Sequence, residues 1–417
     1  MRLTKTLIAS CLVAGSSLAM AEIEWLDPQS SDLRADRLTT DTRAIPASMH
    51  QESDAINFAW SAEEASTARR PGAGPTESGT APMVESQQYW LDVTGAELAR
   101  GVELPLTAPR AVVRISALDA DSDLMLDPEK LVLEFDGRPI SAEFGPERVS
   151  TGAEMRREGM PVPEDTLAFR LTDRTGAGTL KVTHEGVRGN VPLVINVHEP
   201  ESEWTARLAL GRHNYLAGQP LDFDFELGNG SQSIDARSIQ AVLASPDASQ
   251  TWPIESARGT GLTMASAPLA EIERPAPGLY EAHVYVEGDY RGQTIRRDLT
   301  LAFNIAPAIA QFSGEVERGR GDGLTLVLGV NSAVSGRYQV NAEVMGTNAR
   351  GQLELLGFVQ SASVLEAGSG QIELSLDSDM VRASGLRAPF EVHNLQLLDQ
   401  GRMYLLEDRQ QALRMLR

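Results

Sequence analysis

From Tyr89 onward the chain is a succession of short apolar alternations broken by Gly, Pro, Asn and Asp, the pattern of β-strands joined by tight turns. Residues 221–227 carry it most clearly, with Leu221, Phe223, Phe225 and Leu227 alternating with Asp222, Asp224 and Glu226. A strand with one buried and one wet face demands that order, whereas a helix would scatter the acids around its circumference. The same reading predicts strands at 131–135 before the turn Asp136-Gly137, and at 166–171, 180–182 and 191–197. Others are predicted at 280–287 and 299–305, with 275–278 as the turn before Tyr280, and then at 324–330, 338–344 and 372–376. Near the end Phe390 and Val392 are even-numbered while Leu395 and Leu397 are odd, so a bulge is expected at His393-Asn394. Long amphipathic helices are absent from the pattern, and short ones are expected only at 86–101 and 404–416.

The strands fall into three blocks, 86–200, 201–310 and 311–417. An all-β protein of three tandem antiparallel, immunoglobulin-like β-sandwiches is therefore expected. Before them, residues 22–85 show little apolar periodicity and end in a Pro/Gly run, which reads as a low-complexity, poorly ordered extension or linker. Its hydrophobic anchors are Trp25, Leu26 and Phe58-Ala59-Trp60. Residues 1–21 have the three parts of a secretory signal peptide: basic Arg2 and Lys5, an apolar stretch, and the small-x-small end Ala19-Met20-Ala21. Cleavage before Glu22 and a periplasmic or secreted location are expected. No other stretch approaches the ~18 consecutive apolar residues of a membrane helix, so no membrane span is expected in the mature chain.

The run from Tyr89-Trp90-Leu91-Asp92-Val93 through Leu104-Pro105-Leu106 to Pro109 resembles the start of a family of secreted bacterial proteins defined by a domain of unknown function. The middle block is similar to bacterial extracellular immunoglobulin-like domains through Tyr215-Leu216-Ala217-Gly218-Gln219-Pro220-Leu221, Gly278-Leu279-Tyr280 and the stretch from Gly288 to Arg297. The last block resembles the sandwich that follows in the same family, through Gly336-Arg337-Tyr338 and Ser384-Gly385-Leu386-Arg387-Ala388-Pro389-Phe390. The resemblance implies a tripartite N-terminal, immunoglobulin-like and C-terminal protein. It brings no activity and no catalytic residue with it.

Charge narrows the partners. There are 37 Lys and Arg against 58 Asp and Glu, and removal of Arg2 and Lys5 makes the net charge of −21 more negative by two. Such a surface repels nucleic acid and anionic headgroups, so no nucleic-acid partner is expected. The one cysteine, Cys11, leaves with the signal, which excludes disulfides and a cysteine nucleophile from the mature chain.

Catalytic signatures are lacking: there is no G-x-S-x-G elbow, no H-E-x-x-H and no C-x-x-C, and no catalytic or cofactor-binding residue is nominated. Gly259-Thr260-Gly261 and Gly319-Arg320-Gly321 read as turns. The strongest local cluster is Asp119, Asp121 and Asp123 with Asp127 after them, a candidate calcium site because Ca²⁺ takes six to eight hard oxygens. Against it, no Gly follows Asp123 and Lys130 occupies the position of the bidentate Glu; an acidic solvated turn is the plainer reading. His283 is read as sharing the polar face of its strand with Tyr285 and Glu287. Tyr89-Trp90 and Trp252 are candidate stacking surfaces for a sugar, or core and junction fillers. Arg320-Gly321-Asp322 matches an adhesion tripeptide but suits a Gly-rich linker equally.

Two functions follow from these readings. The first is an exported, non-catalytic binding, adhesion or spacer protein with an unknown protein or glycan partner in the envelope or outside the cell. The second is a secreted glycan- or peptide-active hydrolase, which would need an Asp/Glu pair brought to about 5 to 9.5 Å by the fold.

Overall fold

The computed structural model describes residues 23–416 apart from 44, 49–51, 68–81, 119–123, 141–145, 255–261, 266–271, 273–274 and 321–322. The architecture is all-β, built of several antiparallel sheets. Two compact units divide the chain: residues 35–46 with 74–308, and residues 1–34, 47–73 and 309–417.

The larger unit holds two sandwiches. In the first, a five-stranded sheet runs in the order Gln88–Thr94, Pro192–His198, Val112–Ala117, Leu167–Arg170, Arg148–Thr151. It faces a four-stranded sheet of Val102–Leu106, Gly178–His184, Leu131–Phe135 and Arg138–Pro139. Leu104, Val113, Ile115, Phe169, Val182 and Ile195 from the two sheets share one buried core. Asp136 and Gly137 both take positive φ, 48° and 72°, which is the twist a two-residue hairpin turn needs to join adjacent strands. Residues 86–101, expected as a short helix, are a strand followed by the helix Gly95–Arg100. The helix is started by a capping box in which Thr94 accepts from the Glu97 N–H and Glu97 accepts from the Thr94 N–H.

In the second sandwich, the strands Leu279–Tyr290 and Gln293–Ala306 form a long hairpin whose turn residues Arg291 and Gly292 have φ of 51° and 84°. The hairpin lies in a sheet ordered Asn214–Leu216, Gln293–Ala306, Leu279–Tyr290, Ala236–Ala244, Thr251–Pro253, with Asn214–Leu216 running parallel to its neighbour. The facing sheet is Leu262–Ala265, Asp222–Gly228, Thr205–Leu210 and Met83–Ser86. The alternation at 221–227 is realised as read, with Phe223, Phe225 and Leu227 buried. Met83–Ser86 precedes the first sandwich in sequence yet pairs with the second, Ser86 lying opposite Ala206.

In the smaller unit, a six-stranded sheet is ordered Ile23–Trp25, Tyr404–Met415, Arg387–Asp399, Gly336–Thr347, Leu353–Leu365, Ile56–Ser61. A three-stranded sheet, Ala310–Arg318, Leu324–Ser332 and Gly368–Leu376, completes it. Two segments of the stretch read as a linker thus become the edge strands of the larger sheet: Ile23 pairs with Met415 and Trp60 with Phe358. Residues 404–416, expected as a helix, form the strand Tyr404–Met415. The bulge read at His393-Asn394 is present: the register shifts between Val392 and His393, and Asn394 has a φ of 46°.

Candidate functional site

Alternation in the strand Gln88–Thr94 buries Tyr89, whose hydroxyl donates to the Pro105 carbonyl at 2.9 Å, and turns Gln88, Trp90 and Asp92 away from the core. In the long hairpin of the second sandwich, Tyr280, Ala282, Val284 and Val286 face the core while His283 and Tyr285 face out. Register places Asp298 opposite Tyr285 and Thr300 opposite His283 on the same outer face. These two faces border a cleft of about 780 Å³, lined also by Glu85 and Ser86 of the crossing strand and by Gln240.

At one side of the cleft, the Asp298 carboxylate accepts the Trp90 N–H at 2.6 Å. Gln88–Thr94 is an edge strand of its sheet, so this backbone donor points away from its neighbour and would otherwise need water. Burial pushes the Asp298 carboxyl up to about 7, and neighbouring Asp92 adds to the rise. The Trp90 N–H and the Arg296 and Arg297 guanidiniums pull the other way. Near neutral pH the group is poised between its two protonation states. His283 Nε2 lies 3.1 Å from a Glu281 carboxylate oxygen, and Nδ1 makes a hydrogen bond with the Thr300 hydroxyl at 3.1 Å. Arg114 lies over the Trp90 ring, its guanidinium carbon 5.2 Å from the ring centre.

The two sandwiches bordering the cleft are tied by a buried polar knot. Arg297 occupies an inward position among Ile295, Leu299 and Leu301 and is fully buried, as is Glu199. Arg297 Nη1 donates to Glu199 Oε2 at 2.8 Å, Nη2 donates to the hydroxyls of Thr107 at 3.0 Å and Ser202 at 2.7 Å, and Nε donates to the Trp204 carbonyl at 3.0 Å. Glu199 Oε1 in turn accepts from the Thr107 and Ala108 backbone N–H groups. A charge pair taken wholly out of water persists only when its remaining donors and acceptors are met, and here they come from both sandwiches.

The residues nominated from sequence fare unequally. Trp90 lines the cleft, while Tyr89 is core and Trp252 packs against Tyr280, their ring centres 6.3 Å apart. His283 lies on the outer strand face as read and also borders the cleft. Asp119, Asp121 and Asp123 lie outside the described residues, as do Cys11, Gly259-Thr260-Gly261, Gly321 and Asp322. Asp127 is engaged locally: its carboxylate accepts the Glu129 N–H at 3.0 Å, capping the short turn Pro128–Lys130, and lies 3.7 Å from the Lys130 ammonium. Among the described residues, no group of three His, Cys, Asp or Glu side chains is arranged to hold a metal ion. Sequence reasoning missed Asp298 and the Glu199–Arg297 pair. The signal for the second was present, since an arginine at an inward position of an apolar alternation requires a buried partner.

Two family models match the chain. The model for the N-terminal domain of a domain of unknown function, DUF4785, covers residues 47–199, and the one for the C-terminal domain of that family covers 309–417. The chain belongs to the DUF4785 family. Among solved structures, a DUF4785 family protein from Legionella pneumophila aligns over 93% of this chain and 98% of its own, with a TM-score of 0.68 at 17% identity. At that identity the likeness speaks for the fold alone. No curated protein matches the chain. Membership brings no assigned chemistry, so the cleft has to be interpreted from its own residues. No helix among the described residues is long and apolar enough to cross a membrane.

Proposed function

We propose that this DUF4785 protein is a non-catalytic binding protein, exported by its N-terminal signal to the periplasm or beyond, that takes a protein or glycan ligand in the cleft between its first two sandwiches. The observation that carries this reading is the cleft itself. The outward faces of two sheets, held together by the buried Glu199–Arg297 knot, present two aromatic rings, Trp90 and Tyr285, beside carboxylates and amides. Aromatic surface with a few convergent polar groups is what a concave recognition site uses. The test is retention of the protein on immobilised peptides and glycans, compared with a Trp90→Ala/Tyr285→Ala variant. Ligands held by the parent and released by the variant, with an unchanged melting temperature, support the reading; equal retention by both overturns it.

A second reading, hydrolysis of a glycan or peptide, draws on a different observation. Asp92 and Asp298 border one cleft, and Asp298 keeps its proton toward neutral pH, the environment a general acid requires. Turnover by the purified chain that disappears in Asp298→Asn would favour this reading over the first.

A further inference from the structure

We infer that the ligand of this cleft is a basic peptide, its Arg or Lys side chains directed onto the carboxylates and rings; this rests on the cleft being the binding site. Charge complementarity is the first ground. Among the described residues the acids bordering the cleft are Glu85, Asp92 and Asp298, and no Lys or Arg borders it. The nearby cations are committed elsewhere. Arg297 is sealed against Glu199, and Arg296 donates to Glu287 at 2.8 Å. A cationic group entering the cleft therefore meets three carboxylates, with Arg114, held over Trp90, as the neighbouring cation, and the chain's overall charge of −21 adds long-range attraction.

The rings are the second ground. Trp90 already carries the Arg114 guanidinium on its π-system, which shows that a planar cation sits well against it in this setting. Tyr285 is 43% exposed on the opposite wall. Charge also favours a peptide over a neutral sugar, which would leave Glu85, Asp92 and Asp298 without a counter-charge.

Proton linkage follows. Asp298 faces Asp92 and the buried Tyr89 from the edge strand, Tyr285 from the hairpin, Glu85 from the crossing strand, and Arg296 and Arg297 from its own strand. A bound cation favours its ionised form, so binding releases a proton and weakens as the pH falls below about 7.

The experiment is calorimetric titration of the full chain with a capped Gly-Arg-Gly-Arg-Gly-Arg-Gly peptide, its citrulline counterpart and cellohexaose. Parent, Asp298→Asn, Asp92→Asn and Trp90→Ala/Tyr285→Ala proteins are compared, with His283→Gln as the control for the imidazole bordering the cleft. The arginine peptide is expected to bind about tenfold more tightly than the citrulline one. Each Asp→Asn change is expected to cost about fivefold to tenfold, and the pH dependence to vanish in Asp298→Asn but persist in His283→Gln. Equal binding of both peptides, or a preference for cellohexaose, overturns the inference. If that binding is still lost in Trp90→Ala/Tyr285→Ala, the cleft stands as the site. Probe binding that survives the aromatic double variant, or no binding by any probe, removes both the inference and its basis. Asp92→Asn alters an exposed side chain and keeps the test open should Asp298→Asn fold poorly.

Discussion

Asp298 in the larger unit and Asp408 in the smaller are both carboxylates whose burial makes ionisation unfavourable, raising them to about 7 and about 6. Their surroundings differ. Asp298 stands at a cleft, with Asp92 and two aromatic rings on the walls. Asp408 sits on an inner strand, where its backbone exchanges two 2.9 Å hydrogen bonds with Leu33 and where Asp32, its like-charged neighbour, accepts the Gln410 N–H at 3.0 Å. In the proposed function the same discomfort would serve recognition, because a ligand can enter the cleft. Where the chain's own N-terminal segment covers the strand, it is a cost of assembly. A raised carboxyl is therefore not a functional marker by itself; access decides.

The largest effect should come from breaking the knot that holds the cleft together. Arg297→Met leaves Glu199 buried without its counter-charge and is expected to cost about 3–5 kcal/mol in urea unfolding. Adding Glu199→Gln, which removes the charge but keeps an acceptor for Thr107 and Ala108, is expected to recover more than half of the loss. An additive loss would mean that the pair is not energetically coupled.

Next come the two aspartates. A carboxyl raised on folding stabilises below its unfolded value, and that contribution is lost as the pH climbs through its folded value: between about 4 and 7 for Asp298, and about 4 and 6 for Asp408. Asp298→Asn and Asp408→Asn should therefore each gain about 1–3 kcal/mol over the parent near neutral pH and gain nothing near pH 4, read as the gap in melting temperature. The comparison sharpens on ligand: peptide binding should change only in the first variant.

The smallest effect concerns the N-terminal strand Ile56–Ser61. The Asn57 side chain donates to the Ser375 carbonyl at 2.9 Å and accepts its N–H at 3.0 Å, mimicking a neighbouring strand. Asn57→Ala should lower stability by about 1 kcal/mol without touching binding, as measured by melting temperature and the peptide titration.

How far the fold was legible depends on where its determinants lie. At 221–227 one wet and one dry face were encoded locally, and the strand formed as read. At 404–416 the register shifts beside His393 and Leu398 break the period of two, and buried Leu406, Arg409, Ala412 and Leu413 imitate helical spacing. Ile23–Trp25 is too short to show a period, and Ile56–Ser61 alternates Ile56, Phe58 and Trp60 with Asn57, Ala59 and Ser61 but stands isolated in a low-complexity stretch; both become strands because partners some three hundred or more residues away offer unpaired edges. The candidate site was half legible. Trp90 and His283 could be nominated as an aromatic and a polar strand residue, but Asp298 acquires its raised carboxyl from burial against the edge strand, which only the meeting of two sandwiches supplies.

The central claim, that Asp298 is a poised carboxyl in a cation-binding cleft, is tested most directly by carboxyl carbon NMR of the ¹³C-labelled chain, with Asp298→Asn assigning the resonance. The account predicts a midpoint at about 7 in the free protein, falling by about one unit or more when the arginine peptide is added. A resonance titrating near the ordinary carboxylate value of about 4, unmoved by the peptide, would contradict it.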